Sequence, residues 1–183
     1  MWGCPGLAEK MTNIRWKGEI PFQYRPSDWK SGLPSSSTSL PWDSSIIEAI
    51  HIDMEHNPFT GKAFFNEVIY YHKPSKTLIT TDFFWNYPAN EIPNSEFAKD
   101  DTWELAPRVK VPFTSRLWKA GMDKVYAPFF NNFMVTDPGA YRQVCEHVVN
   151  TWDVETVIPA HGDVLRGKSF IQDVLGKFFQ IKQ

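Results

Sequence analysis

Short runs of β-branched and aromatic residues in the middle of the chain predict three strands. The runs are IIEAIHI at 46–52, FNEVIYYH at 65–72 and TLITT at 77–81. Residues of these types favour the pleated, half-buried surface of a sheet. Because only the short segment KPS at 73–75 separates the second run from the third, these two runs are predicted to pair as a hairpin.

The C-terminal half carries helical spacing together with a further strand. SRLWKAGM at 115–122, DPGAYRQVCEHVVNTW at 137–152 and KSFIQDVLGKFFQI at 168–181 predict helices, and ETVIPAHGD at 155–163 predicts a strand that ends in a turn. Asp137 is placed to cap the second helix, since a proline follows it. The buried stripe of that helix is predicted from its helical spacing: Tyr141, Val144, Cys145, Val148 and Val149. Strands that alternate with helices favour an α/β layered fold.

The length of 183 residues suits a single domain, 1–183, with a core of useful size. The Ser/Pro/Gly-rich segment SGLPSSSTSLPWDSS at 31–45 predicts a surface loop. Residues 89–113 have a loop-like pattern with short helical stretches. The Ser/Pro/Gly-rich loop at 31–45 is either a lineage insertion or a lid over a site, and the sequence leaves both alternatives open.

Charge and composition exclude some classes of partner. The formal net charge is −2 and the chain has no Lys/Arg run, which argues against a nucleic-acid-binding protein. No stretch of about 18 apolar residues is present, so no membrane span is predicted. Cys4 and Cys145 are too few for a disulfide framework, and we expect both to be free thiols in a reducing intracellular compartment.

Two predicted strand ends carry side chains that metals prefer. Asp82 follows TLITT, and His161 follows TVIPA. Because ligands in α/β proteins gather beyond the carboxyl ends of strands, neighbouring strands could bring these two residues together. Carboxylate and imidazole groups bind zinc or iron. The structural alternative is a turn-capping aspartate and an ordinary hydrogen-bonded histidine; two donors are also fewer than a zinc site requires.

Other histidines could add donors to that pair. His51 and His56 lie in the segment HIDMEH, and His72 ends the second predicted strand. His147 lies beside the buried stripe of its helix and is predicted to be structural. The five-residue step between His51 and His56 fits neither His-x-His spacing nor one face of a helix.

The segments IEAIHIDMEH, FNEVIYYHKPSKTLITTDFFWN and TVIPAHGD together resemble the second half of a metallo-β-lactamase fold. The stretch EVIYYHKPSKTLITTD at 67–82 is similar to a motif of the DUF4336 proteins, a branch of that superfamily. The resemblance extends over essentially all of residues 1–183, since WGCPGLAEK also looks like a family segment. It implies an αβ/βα sandwich.

The resemblance also implies roles for individual residues. The aspartate at the position of Asp82 bridges two metal ions in the superfamily, and the histidine at the position of His161 binds the second metal. His56 is a looser match to a third ligand, because the Pro-Gly-His context is missing. The same comparison implies that Asp82 lies dry at the floor of a metal cleft.

The chain departs from the superfamily at its principal metal-binding loop. The His-x-His-x-Asp-His sequence is absent, and Met1 stands where the first half of the fold should already have ended. We therefore expect an incomplete sandwich, with its N-terminal half largely missing and no hydrolase activity of its own. The alternative is a truncated metal-dependent hydrolase acting on an ester, lactone or thioester, with zinc or iron bound once the site is completed.

A third interpretation is an aromatic-rich interaction module. Eight tryptophans, together with FFWNYP at 83–88 and APFFNNF at 127–133, could form an exposed patch. The competing expectation is that these aromatic residues pack the core and the walls of the cleft. An incomplete sandwich would also leave apolar surface bare, which favours dimerisation. The expected partners are a second copy of the chain and, if the chain is active, a small molecule. The expected location is the cytoplasm or, as the resemblance implies, the plastid.

Overall fold

The computed structural model describes residues 2–4, 6–19, 42–62, 65–86, 91–93 and 108–181. This part of the chain is mixed α/β, with a five-stranded mixed sheet and several helices. Of the predicted loop at 31–45, residues 31–41 lie outside the described residues, and 42–45 form a bend and turn before the first strand of the large sheet. Most of the 89–113 segment likewise lies outside them.

The strands are short. They are β1 (Trp2–Gly3), β2 (Gly18–Glu19), β3 (Ile47–Ile52), β4 (Glu67–His72), β5 (Thr77–Thr80), β6 (Glu91–Pro93), β7 (Arg108–Lys110), β8 (Thr156–Pro159) and β9 (Leu165–Arg166). The four predicted strands are present to within a few residues as β3, β4, β5 and β8. The strands β6 and β7 fall in a stretch whose pattern predicted no strand.

The helices are α1 (Leu7–Lys10), α2 (Phe113–Gly121), α3 (Ala127–Phe129), α4 (Pro138–Asn150) and α5 (Lys168–Phe178). Two π-helical stretches, Met122–Tyr126 and Phe130–Met134, interrupt the run between α2 and α4. The predicted cap of α4 is confirmed, because the Asp137 side chain accepts a hydrogen bond from the backbone N–H of Ala140 at 2.9 Å.

The large sheet has the strand order β3-β4-β5-β8-β9. The predicted hairpin is confirmed, since β4 and β5 are antiparallel and pair Tyr71 with Leu78. β5 and β8 are parallel. A parallel pair places both carboxyl ends at the same edge of the sheet, which is the geometry on which the candidate site depends.

One face of this sheet packs against α4 and α5. Ile69 and Leu78 from the sheet join Val144 and Val148 from α4, and Leu175 from α5, in the main core. The predicted stripe of α4 is confirmed, because Val144, Cys145, Val148 and Val149 are buried and Tyr141 is half-buried.

The opposite face of the sheet is covered less completely. A row of apolar residues crosses it, since the strand register pairs Ala49 with Tyr70, Tyr70 with Ile79, and Ile79 with Ile158. Ala49 is buried with Val68, whereas Ile79 and Ile158 are each 42% exposed. The covering of this face therefore ends between β4 and β5.

Candidate functional site

The register of two parallel strands brings Asp82 and His161 together. Thr80 of β5 pairs with Pro159 of β8, and each site residue follows its strand by two positions. His161 Nε2 lies 3.2 Å from Asp82 Oδ1. The juxtaposition predicted from the strand ends is therefore present, while metal ligation by the pair remains a prediction.

Backbone contacts hold the turn that carries His161 against the segment after β5. The N–H of Ala160 donates to the carbonyl of Thr80 at 2.9 Å, and the N–H of Asn86 donates to the carbonyl of His161 at 2.9 Å. Gly162 has φ 94°, and a Cβ added there would lie 1.7 Å from the carbonyl oxygen of Asn86. Only glycine fits this approach without a backbone shift.

A buried carboxylate fixes the segment that carries Asp82. Glu67 is 5% exposed and stands in β4 on the helix-covered face. It accepts hydrogen bonds from the Thr80 hydroxyl at 2.9 Å, from the N–H of Asp82 at 2.8 Å and from the N–H of Phe83 at 2.7 Å, with a further bond from the N–H of Thr81. These backbone donors are satisfied where β5 ends and its ladder can no longer pair them.

Glu67 is a residue that the sequence reasoning missed. The signal in the sequence was a glutamate at the start of the strand EVIYYH. Side chains alternate along a strand, so Glu67 lies on the same face as Ile69 and Tyr71. A carboxylate at a core position requires partners. The pattern alone does not say that those partners are the amides that follow TLITT.

The expectation of a dry Asp82 is wrong. Its side chain is 38% exposed, and that of His161 is 52% exposed. The reason lies in the division of roles at this turn: Phe83 and Phe84 supply the buried groups, at 1% exposure each, and Glu67 is the buried carboxylate. The Asp82 side chain instead reaches outward to His161.

A second buried carboxyl group lies at Glu55, which is 2% exposed. Its Oε1 has no hydrogen-bond partner among the described residues. Burial, with a smaller contribution from the negative charges of Glu67 and Asp82, raises the pKa of Glu55 to about 8. Glu55 is therefore mostly protonated at neutral pH. Sequence reasoning missed it, since nothing in DMEH marks a buried acid.

His56, the third predicted metal ligand, is not grouped with Asp82 and His161 as a metal-binding set. Its Nδ1 lies 3.1 Å from the hydroxyl of Thr136, and its N–H donates to the carbonyl of Met134 at 2.8 Å. Within the described ranges, no group of three or more His, Cys, Asp or Glu side chains is arranged to hold a metal ion. Since a catalytic zinc takes three protein ligands, Asp82 and His161 alone do not fit one.

The remaining histidines have structural contacts. His51 is buried and is hydrogen-bonded to Asn66, and His72 Nδ1 lies 2.6 Å from the Ser75 hydroxyl in the hairpin turn. His147 packs edge-on against Trp152, with ring centroids 5.5 Å apart, as its predicted structural role requires.

The aromatic segments divide between core and surface. Phe83 and Phe84 are buried, and Trp85 packs edge-on against Phe178 at 4.7 Å, so the first half of FFWNYP follows the core-packing expectation. Residues 87 and 88 lie outside the described part. In APFFNNF, Phe130 is buried at 3% exposure, whereas Phe129 and Phe133 are 41% and 61% exposed, so the core-packing expectation holds for Phe130 and is wrong for the other two.

Both cysteines are free thiols, as predicted. Cys145 is 2% exposed in the main core, and Cys4 is half-buried. Burial is the largest cause that raises the pKa of each thiol. A raised pKa reduces the thiolate fraction, which argues against a reactive thiol at either position.

The chemistry available at the site is that of an exposed carboxylate–imidazole pair. Asp82 occupies one ring nitrogen of His161, which leaves Nδ1 as the ring atom for a bound molecule. A histidine oriented by a carboxylate can exchange a proton with such a molecule. The pair has the exposure for contact with a solute.

No helix within the described ranges has the length and apolar character needed to cross a bilayer.

Comparison of the chain with family models, with curated proteins and with solved structures gives no match.

Proposed function

We propose that this chain carries the Asp–His part of a metallo-β-lactamase-like sandwich and that its role is binding at the Asp82–His161 pair rather than metal-dependent hydrolysis. The observation that carries the proposal is the pair itself: two donors 3.2 Å apart, both partly exposed, with no third His, Cys, Asp or Glu grouped with them in the described part of the chain. A pair of this kind can hydrogen-bond a polar solute, whereas activation of water by a metal requires a fuller set of ligands than this pair supplies.

The open face of the large sheet supports the fold in this proposal. A sandwich of the αβ/βα type covers one face of each sheet with helices and packs the other faces together. Here α4 and α5 cover one face, and Ile79 and Ile158 stand side by side on the other at 42% exposure. This is the surface on which a second sheet would pack.

The proposal is tested by measuring bound metal and hydrolysis in the same preparation. Purified protein is incubated with zinc or ferrous iron and desalted, its metal content is determined, and activity is measured on an aryl ester, a thioester and a lactone. We expect no stoichiometric metal and no turnover above that of Asp82→Asn and His161→Gln. Stoichiometric metal and turnover, both lost in the two variants, would contradict the proposal.

A second candidate is metal-dependent hydrolysis with further donors from outside the described residues. The observation that favours it is the orientation of Asp82, whose backbone is held by the buried carboxylate of Glu67. Rigid support of this kind is typical of residues that must keep a fixed geometry. The same assay separates the candidates, because only the second predicts turnover that depends on added metal and on Asp82.

A further inference from the structure

A continuous helical segment, 113–134, carries large apolar side chains on its outside. We call it the 113–134 helical segment; it comprises α2, the first π-helical stretch, α3 and the second π-helical stretch. None of the residues of its first three stretches is buried. Its exposed apolar side chains, with their exposed fractions, are Phe113 71%, Leu117 63%, Trp118 59%, Val125 70%, Phe129 41% and Phe133 61%.

The spacing of these side chains places most of them in one row. Five of the six lie at multiples of four residues from each other, with Gly121 completing the series. In a pure α-helix such a row would turn steadily around the axis, since a turn takes 3.6 residues. The π-helical stretches are wound more loosely and offset that drift. At the end of the row the rings of Phe129 and Phe133 stack on each other, with centroids 5.4 Å apart.

The side of α2 that contacts the rest of the protein is not its apolar side. The half-buried positions of α2 are Ser115, Lys119 and Ala120, and the Lys119 ammonium is paired with Asp123 at 2.6 Å. A surface helix ordinarily buries its apolar stripe. Here Phe113 and Leu117 are exposed, so the described residues leave the apolar side of α2 uncovered.

The charges along this part of the chain are mostly positive. The 113–134 helical segment has three basic residues and one acidic residue, a net charge of +2 in a chain whose formal net charge is −2. They are Arg116, Lys119, Lys124 and Asp123, and Lys110 precedes the segment. The apolar row is thus accompanied by a positive charge that the remainder of the chain does not share.

We propose that the 113–134 helical segment binds the surface of a membrane that contains anionic lipid, with Leu117, Trp118 and the phenylalanines inserted at the headgroup boundary. Helices that lie in this boundary combine Trp, Phe and Leu on one side with Lys and Arg beside them. The negative surface potential of anionic lipid supplies the complementary charge. A peripheral position of this kind requires no spanning helix.

The test is co-sedimentation of the purified full chain with vesicles. One set is phosphatidylcholine alone, and the other contains about a quarter phosphatidylglycerol. We expect binding to the anionic vesicles, at least tenfold weaker binding to the neutral ones, and a loss of binding as salt is raised. Leu117→Gln combined with Phe133→Ser should abolish binding, and Lys124→Glu should weaken it severalfold.

Two exposed residues outside the segment provide matched controls. Phe59 is 88% exposed, so Phe59→Ser removes a ring that is more accessible than that of Phe133, and Lys62→Glu makes the same charge change as Lys124→Glu at another exposed lysine. Both should bind like the unsubstituted protein. The proposal is overturned if the chain does not bind anionic vesicles, or if Leu117→Gln with Phe133→Ser binds them equally well. It is also overturned if that double variant only dissociates a self-associated form, because the surface would then join copies of the chain.

Discussion

The carboxylate of Glu67 accepts hydrogen bonds from the backbone N–H groups of Asp82 and Phe83, at 2.8 and 2.7 Å. The two ends of the stretch EVIYYHKPSKTLITTD thus meet in space, although 15 residues separate Glu67 from Asp82. The strand-end position of Asp82 depends on this contact as much as on β5 itself. Its side chain is then free to turn outward toward His161, 3.2 Å away.

Replacement of Glu67 should therefore be costly. Glu67→Ala leaves four donors without their acceptor in a buried or half-buried setting, and we expect the free energy of unfolding to fall by about 3 kcal/mol or more. Glu67→Gln, which keeps one acceptor oxygen, should cost less. Urea unfolding measures both. Glu146→Ala is the control, since its carboxylate is partly exposed and forms a surface ion pair with Arg142; it should cost less than about 1 kcal/mol. Equal losses in the free energy of unfolding for Glu67→Ala and Glu146→Ala would contradict the proposed role of Glu67 in holding the segment after β5.

The close approach at Gly162 gives a second prediction. Gly162→Ala adds a Cβ that meets the Asn86 carbonyl at 1.7 Å, at a φ of 94°. We expect a loss of about 3 kcal/mol or more in the free energy of unfolding, together with a changed NMR environment for His161. Gly61→Ala separates conformation from contact, because Gly61 has φ 65° but, apart from its chain neighbours, no atom of the described residues lies within 4 Å of an added Cβ. That variant should lose only about 1–2 kcal/mol; equal losses in the two variants would contradict the proposed clash.

The buried acid Glu55 predicts a dependence of stability on pH. Its pKa in the folded protein is about 8, against an ordinary 4.5. The folded state therefore keeps a proton that the unfolded chain has lost. This contribution to stability is fully present below about pH 4.5 and is lost as pH rises to about 8, by a total on the order of 4–5 kcal/mol.

Glu55→Gln removes this proton uptake while keeping the shape of the side chain. Urea unfolding of both proteins across that pH range measures their free energies of unfolding. As pH rises, the unsubstituted protein should lose stability relative to Glu55→Gln, so that the variant is relatively more stable at the alkaline end. The Glu146→Gln variant should follow the unsubstituted protein at every pH. Parallel curves for Glu55→Gln and the unsubstituted protein would show that Glu55 does not hold a proton in the folded state.

The open sheet face predicts self-association. Ile79 and Ile158 are paired in register and partly exposed, and apolar surface of this kind favours burial against another copy. We expect the chain to elute from gel filtration as a dimer or larger species, and Ile79→Ser combined with Ile158→Ser to shift it toward the monomer. Ile46→Ser, at 40% exposure before β3, is the matched control and should leave the elution unchanged. A monomer at every concentration would count against a docking role for this face.

Local sequence rules were sufficient for part of this structure. The hairpin around KPS, the Asp137 cap and the α4 stripe follow from turn length, capping and helical spacing, which act over a few residues. The approach of Asp82 to His161 required one further rule, that ligands gather beyond the carboxyl ends of neighbouring strands. For this reason the pair could be predicted across 79 residues.

Other features depend on tertiary contacts that no local pattern carries. The burial of Glu67 and Glu55 is set by where distant amides and carboxyl groups lie after folding. The exposure of Asp82 follows from Glu67 taking the buried role. Through the two π-helical stretches the apolar side chains recur at four-residue steps rather than at the 3.6-residue period of an α-helix, and the sequence therefore predicted a helix only at 115–122, whereas helical structure continues to Met134.

The most direct test of the account follows the His161 imidazole nitrogens by NMR while zinc is added to the chain. The account predicts shifts that do not saturate at one zinc per chain, and a response to Asp82→Asn that reports only the loss of the hydrogen bond at Nε2. Saturation at one zinc per chain, abolished by Asp82→Asn, would contradict it and assign the pair to a metal site.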